Sequence, residues 1–117
     1  MTYHYIIPYI PPSNNQYIGR TNFREYQRVK KQWAMLVKAY CRPVPPQPLE
    51  KSRVTLSYFF GDKRRRDPDN YAPKMILDGM VLCGIILDDS FMNIELSLCA
   101  EFGCKDVRTE IEVMQID

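Results

Sequence analysis

The 117-residue sequence has no long apolar run and contains a single histidine, His4. Its longest apolar stretch, residues 79–87, is far shorter than the ~20 residues that a membrane-spanning helix needs. The first ten residues lack the charged start and apolar centre of a signal peptide. We therefore expect a protein without a membrane partner and with a cytoplasmic location.

Paired cysteines are also missing from the sequence. Its four cysteines include no Cys-x-x-Cys pair, and they are Cys41, Cys83, Cys99 and Cys104. A structural zinc site is usually built from closely spaced cysteine and histidine pairs, so zinc is not expected here. Reduced thiols are the ordinary state of cysteines in a cytoplasmic protein.

Charge is low overall but unevenly distributed along the chain. The formal net charge is only +2, whereas basic residues concentrate in 24–38 and 63–66 and acidic residues follow from Asp67 onward. A local basic patch is the feature that matters for phosphate binding. The length allows one compact domain, which we assign to residues 1–117.

Apolar spacing predicts an α+β fold. Apolar residues recur every three or four positions in two segments, as in helices, and they alternate with polar residues in several others, as in strands. The predicted order is a strand at 3–10, a helix at about 22–40, a strand at 53–60, a helix at 73–83, and strands at 93–102 and 106–116. A small mixed β-sheet of about four to five strands with two main α-helices packed on it accommodates this order.

The most distinctive polar feature follows the 53–60 strand. Asp67 and Asp69 are two residues apart, and Pro68 restricts Asp67 toward an extended backbone in which their side chains point the same way. Two carboxylates ~4 Å apart repel by about 4 kcal/mol at an effective dielectric constant near 20. A bound cation, a neighbouring arginine or protonation of one acid would relieve this repulsion. Carboxylate oxygens suit Mg²⁺, with Mn²⁺ as the alternative. A solvated acidic turn is the competing interpretation.

Cations flank these two aspartates. The run Lys63 to Arg66 carries more positive charge than the pair can neutralise, which favours phosphate as a further partner. Lys74 falls in the first turn of the second predicted helix, where a cation is unfavourable unless an anion is nearby. The anion near Lys74 is either a substrate phosphate or a carboxylate. Asp78 lies one helical turn later, so an ordinary Lys74–Asp78 surface pair is the simpler alternative.

A third carboxylate follows the short apolar segment 85–87. If that segment pairs beside the 53–60 strand, one aspartate of the Asp88–Asp89 pair reaches Asp67 and Asp69 and completes a three-carboxylate set. A metal ion together with phosphate-binding cations indicates phosphodiester hydrolysis.

These motifs resemble the RusA family of Holliday junction resolvases, which is common in phages and prophages. RRRDPDN (64–70), Lys74, ILDGM (76–80) and GIILDD (84–89) resemble the family's central signature. PPSNN (11–15), followed by Tyr17, resembles its N-terminal motif, so the resemblance covers most of the chain. One departure is an extra residue between Asn70 and Lys74, with Pro73 before the lysine.

The resemblance implies a function and a set of residues. It implies a Mg²⁺-dependent homodimer that nicks four-way DNA junctions symmetrically, with Asp67, Asp69 and Asp89 as catalytic metal ligands and Lys74 as the catalytic lysine. The DNA-binding residues are then expected to be Arg64, Arg65, Arg66, Asn14, Asn15 and Asn70. Dimer pairing through the first or last strand is the expected arrangement.

Two other functions are compatible with the same residues. One is a metal-dependent nuclease for other branched DNA, and the other is a non-catalytic DNA-binding or structural module of a phage. Magnesium-dependent nicking of a synthetic junction separates the catalytic interpretations from the non-catalytic one.

Overall fold

A computed structural model describes residues 1–13, 23–71 and 73–116. It confirms the α+β class, with one four-stranded mixed sheet and two main helices. The elements are β1 (Thr2–Ile7), α1 (Phe23–Tyr40), β2 (Ser52–Phe59), a short 3-10 helix (Pro68–Tyr71), α2 (Lys74–Leu82), β3 (Ile94–Glu101) and β4 (Arg108–Gln115). None of the helices in these described ranges combines the length and apolar character required to cross a membrane.

The strand order is β1-β4-β2-β3. β4 runs antiparallel to both of its neighbours, β1 and β2, whereas β2 and β3 are parallel. The last strand therefore lies inside the sheet, and the expectation that it offers a free edge for dimer pairing is wrong. The two edges are β1 and β3.

The core forms on one face of this sheet because apolar residues alternate along its strands. Val54, Leu56 and Tyr58 on β2 are buried, and they stand opposite Val113, Ile111 and Thr109 on β4. The predicted helical stripes pack on the same core, with Val29, Trp33 and Val37 from α1 and Ile76, Leu77 and Met80 from α2.

The two helices approach closely at Gly79. A Cβ atom at this position would lie 2.9 Å from Val37 Cγ2, which is closer than real contacts allow. Only glycine lets α2 pack this tightly on α1 without displacing the valine. Gly84, which follows the C-cap residue Cys83, has a φ of +77°, a conformation that favours glycine just past the end of a helix.

β3 is covered less completely than the other strands. Leu96, Leu98 and Ala100 pair with Val54, Leu56 and Tyr58, so they belong to the core-facing side of the sheet. Nevertheless Leu96 is 41% exposed and Ala100 is also exposed. The helices thus leave an apolar strip uncovered along this edge.

Residues 85–87 do not pair beside β2. Ile86 instead forms a parallel bridge with Leu49, with the Leu49 amide donating to the Ile85 carbonyl at 3.0 Å and the Leu87 amide donating to the Leu49 carbonyl at 2.9 Å. The expected pairing fails because β3 and β4 already occupy both sides of β2. Asp88 and Asp89 therefore follow a segment that pairs with Leu49, just before β2 begins, and not with β2 itself.

Candidate functional site

The basic loop, residues 61–67, is held against the end of β2 by Arg66. Its guanidinium carbon lies 4.2 Å from the centroid of the Phe60 ring, and its Nη1 donates to Asp62 Oδ1 at 2.8 Å. Nη1 also donates to the Arg64 carbonyl at 3.1 Å, and only 12% of the side chain is exposed. Hydrogen bonding to Asp62 is the main cause that raises the pKa of Arg66. Of the three predicted DNA-binding arginines, this one is occupied by contacts within the protein.

Asp62 is a member of this site that the sequence interpretation missed. Besides the Arg66 contact, its Oδ1 accepts a hydrogen bond from the Arg64 amide at 3.0 Å, and its Oδ2 lies 3.4 Å from Arg64 Nε. These contacts, the Arg66 hydrogen bond first, lower the pKa of the carboxyl to about 2. The sequence does contain a sign of these contacts, because Asp62 lies two residues before Arg64 and four before Arg66.

Arg64 and Arg65 extend into solvent. Their side chains are 79% and 88% exposed, and Arg65 Nε lies 3.3 Å from Asp67 Oδ1. The Arg64–Asp62 and Arg65–Asp67 ion pairs both join exposed groups, and such pairs are weak because water screens the charges. These two arginines are therefore the ones that a phosphate can reach.

Asp67 and Asp69 are arranged differently from the prediction. Pro68 begins the 3-10 helix, and the Asn70 amide donates to the Asp67 carbonyl at 3.0 Å. Residues 68–71 are therefore helical, and the extended run through Asp69 that would point both carboxylates the same way is absent. Pro68 fixes its own φ at a helical value, so it starts the turn while Asp67 stays just outside. Both carboxylates are exposed.

Lys74 lies at the start of α2 and contacts Asp78. Its Nζ donates to Asp78 Oδ1 at 3.0 Å, which is the surface-type pair considered from the sequence. This hydrogen bond is the largest cause of the raised pKa of Lys74, and the negative charges of Asp78 and Asp89 add to it. Lys74 and Asp89 are thus close enough to interact electrostatically.

Lys30 on α1 joins the same group and was not foreseen. Its Nζ lies 3.2 Å from Asp78 Oδ2, while the Asp78 side chain is only 19% exposed. That contact is an ion pair without hydrogen-bond geometry, so this buried oxygen has no hydrogen-bond partner among the described residues. Lys30 is four residues after Tyr26 and three before Trp33, so helical spacing already placed it beside the buried stripe.

The predicted residues thus fall into two groups. One contains Asp67 with the arginines of the basic loop, and the other contains Lys74 with Asp78 and Asp89. Within the described residues, no three or more His, Cys, Asp or Glu side chains form a group that could hold a metal ion. The chemistry of the donors still fits Mg²⁺, because carboxylate oxygens are its preferred protein ligands. Asp67 and Asp69 are both exposed to solvent, so a metal ion can reach them.

The remaining predicted residues are asparagines. Asn70 lies half-buried in the 3-10 helix. Asn14 and Asn15, like Tyr17, lie outside the described residues.

Comparison with known proteins gave no match, either to a protein-family model or to a curated protein sequence. The resemblance to RusA resolvases consequently depends on the motifs in 11–17 and 64–89 alone.

The different surroundings of Arg65 and Arg66 predict different effects on stability. Arg66→Ala should lower the free energy of unfolding by about 1 kcal/mol, because it removes a cation over an aromatic ring and the packing of the side chain. Arg65→Ala is the matched control and should change it by less than ~0.5 kcal/mol. Urea unfolding at pH 7 measures both, and equal effects of the two substitutions would contradict the assignment.

Proposed function

We propose that the protein is a Mg²⁺-dependent endodeoxyribonuclease that cleaves four-way DNA junctions as a homodimer. The observation that carries this proposal is the alternation of exposed cations and carboxylates on the basic loop. Arg64 and Arg65 are exposed, Arg65 pairs with Asp67, and Asp69 follows in the 3-10 helix. This arrangement places phosphate-binding arginines next to a carboxylate of the kind that binds Mg²⁺.

The location of the loop supports the proposal. It follows the carboxyl end of β2, and the chain then continues through α2 to β3, which is parallel to β2. In sheets with such crossover connections, ligands bind beyond the carboxyl ends of the strands. Arg66 attaches the loop to Phe60, and Arg64 and Arg65 extend outward from it.

Each charged group has a role in the proposed reaction. Asp67, Asp69 and Asp89 would hold Mg²⁺, or Mn²⁺ in its place, which when bound polarises a phosphoryl oxygen and acidifies a water molecule. Arg64 and Arg65 would contact the phosphates of the cleaved strand. Lys74, whose pKa is raised mainly by its hydrogen bond to Asp78, carries a positive charge at neutral pH as any ordinary lysine does, and that charge can stabilise developing negative charge.

Asp78 and Lys30 act as positioning residues for Lys74. Asp78 accepts from Lys74 through one carboxylate oxygen and pairs with Lys30 through the other. The Asp78 side chain is mostly buried, so it offers the exposed Lys74 a hydrogen-bond acceptor at a defined place between α1 and α2. This explains how Lys74 is oriented despite the extra residue ahead of it.

The apolar edge of β3 supports the homodimer. Symmetric nicking requires two active sites, and the beginning of β3 presents the exposed core-facing residue Leu96. Phe91 and Met92, just before this strand, are also exposed. An uncovered apolar patch on an edge strand is typical of an interaction surface.

A non-catalytic DNA-binding module is the second candidate. The observation that favours it is the separation of the predicted ligands into two groups, since exposed arginines bind phosphate without any metal. Wild-type protein that binds a junction but does not nick it in Mg²⁺ would support this candidate and contradict the nuclease.

Cleavage is expected to depend on Asp69. Wild-type protein should nick a synthetic four-way junction in Mg²⁺ and not in EDTA, and Asp69→Asn should reduce the rate by at least about 100-fold because a charged metal ligand is lost. Binding should persist or strengthen, since a charge that repels phosphate is removed. Asp106→Asn, an exposed aspartate in the turn before β4, is the control. Wild-type cleavage by the Asp69→Asn variant would refute the ligand assignment.

Phosphate contact by Arg65 is expected to appear in the salt dependence of DNA binding. Arg65→Ala should weaken binding and reduce the slope of log K against log salt by about 1, the contribution of one phosphate contact. Arg53 is the matched control because it also forms an exposed ion pair, 3.1 Å from Glu95, on β2 and not on the basic loop. If Arg65→Ala and Arg53→Ala leave the same slope as wild type, Arg65 serves only to neutralise Asp67.

The β3 edge is expected to form the dimer interface. Sedimentation velocity should give about twice the 13.8 kDa chain mass for wild type. Leu96→Lys should yield a folded monomer, because it introduces a charge into the buried contact. Leu82→Lys, at the exposed end of α2, should remain dimeric. A wild-type monomer at micromolar concentration would contradict the symmetric resolvase.

A further inference from the structure

An aromatic cavity lies beside Asp67, and the proposed chemistry makes no use of it. Its volume is about 70 Å³, several times the roughly 10–15 Å³ that one water molecule requires. Three aromatic rings form its walls, and exposed residues at its rim connect it with the surface. The walls are Tyr58, Phe60 and Tyr71, and the rim includes Asp67, Cys99 and Ala100.

The sequence explains why a cavity forms here. Tyr58 and Phe60 alternate onto the core-facing side of β2, and the residue beside Tyr58 on β3 is Ala100, which is too small to fill the space. The 3-10 helix then brings Tyr71 over both rings. The Tyr71 centroid lies 6.2 Å from that of Tyr58 and 5.1 Å from that of Phe60. The rings are tilted by 53° and 71°, so they form angled walls and not a closed stack.

Tyr58 contributes a polar group that the rest of the fold does not use. The residue is 3% exposed, and its hydroxyl is buried without a hydrogen-bond partner among the described residues. A buried hydroxyl left without a partner costs ~1–3 kcal/mol, so its retention in an aromatic wall calls for a polar partner. Burial also raises the pKa of Tyr58, which keeps the proton available for donation.

We propose that this cavity takes the edge of one unstacked nucleobase of the branched DNA, with a base acceptor bonded to the Tyr58 hydroxyl. The proposal rests on the proposed function, because it assumes that DNA lies along the basic loop. Aromatic side chains are favourable surfaces for unstacked bases, and every base carries carbonyl or ring-nitrogen acceptors on its edge. Bases near a branch point are also less costly to unstack.

The surroundings of the cavity favour a nucleotide over a free aromatic ligand. Arg65 is exposed one turn away and pairs with Asp67 on the rim, so a phosphate joined to the inserted base can reach a cation. Arg66, which also lines the cavity, already lies over Phe60 and stiffens that wall. Base insertion would place the adjoining phosphodiester beside Asp67, so Tyr58 is a positioning residue.

The test compares base-dependent affinity in two tyrosine variants. Fluorescence anisotropy would measure binding of a labelled four-way junction in Ca²⁺, and of a series of junctions with one abasic nucleotide at successive positions near the branch. Wild type should lose about tenfold in affinity at one position, the contribution of a stacked and hydrogen-bonded base. In Tyr58→Phe the same abasic change should cost only about threefold, because the hydrogen bond is already absent.

Tyr5→Phe is the matched control. Tyr5 is equally buried, but its hydroxyl donates to the Pro43 carbonyl at 2.7 Å, on β1 at the other edge of the sheet. This variant should keep the wild-type abasic response and lose thermal stability. Tyr58→Phe should be as stable as wild type or more stable, because an unpartnered hydroxyl is removed.

The possible failures are distinguishable. If wild type nicks the junction but no abasic position changes its affinity, the nucleobase site is refuted and the nuclease stands. If Tyr58→Phe responds to the abasic series as wild type does, the hydroxyl does not meet the base, and the proposal is refuted in favour of bound water. If wild type binds no DNA, the nucleobase site and the proposed function are both refuted.

Discussion

The parallel pairing of β2 and β3 is the constraint on which the rest of this structure depends. Parallel neighbours cannot be joined by a tight turn, so the chain must cross over the sheet between Phe59 and Ile94. That connection contains the basic loop, the 3-10 helix, α2 and the 85–87 segment. Every described member of the candidate site except Lys30 therefore belongs to one crossover, whose path is fixed by the packing of α2 on α1 at Gly79.

Arg66 links this crossover to the sheet, and its contacts reduce the number of cations that the basic loop presents to solvent. From sequence, four consecutive cations followed by two aspartates leave a surplus of positive charge. The structure adds Asp62 to the anions and removes Arg66 from the groups that face solvent. The surplus is thus smaller than the sequence indicates, but it is directed outward through Arg64 and Arg65. A rigid loop with two exposed arginines is a more specific feature than a flexible charged segment.

Local patterns allowed much of the fold to be predicted. Alternation identified β2 and β4, helical spacing identified the buried faces of α1 and α2, and Gly84 marked the end of α2, because each signal depends on residues close in sequence. Strand order was beyond such reasoning, since it is decided by contacts between distant segments. The placement of β3 beside β2 is what excluded residues 85–87 from that position.

In the candidate site, too, contacts between residues close in sequence were predictable, whereas contacts between separate elements were not. The Lys74–Asp78 pair follows from helical spacing and is present. The 3-10 turn at Pro68 corresponds to the competing turn interpretation, because Asp-Pro-Asp-Asn is compatible with both extended and turn backbones. Lys30 was missed because its partner Asp78 lies on a different helix.

The contacts of the basic loop differ in how easily a ligand can replace them. Arg65 and Asp67 are joined by an exposed pair, and pairs of this kind contribute only about 0–1 kcal/mol. A phosphate can therefore replace Asp67 as the partner of Arg65, and a cation can replace Arg65 as the partner of Asp67, with little loss of folding stability. Arg66 is held by a ring, a carboxylate and a backbone carbonyl together, so the same exchange there would release the loop. Because the strongly held residue lies between the exposed arginines and the aspartates, ligands can exchange with the side chains while the backbone that presents them stays in place.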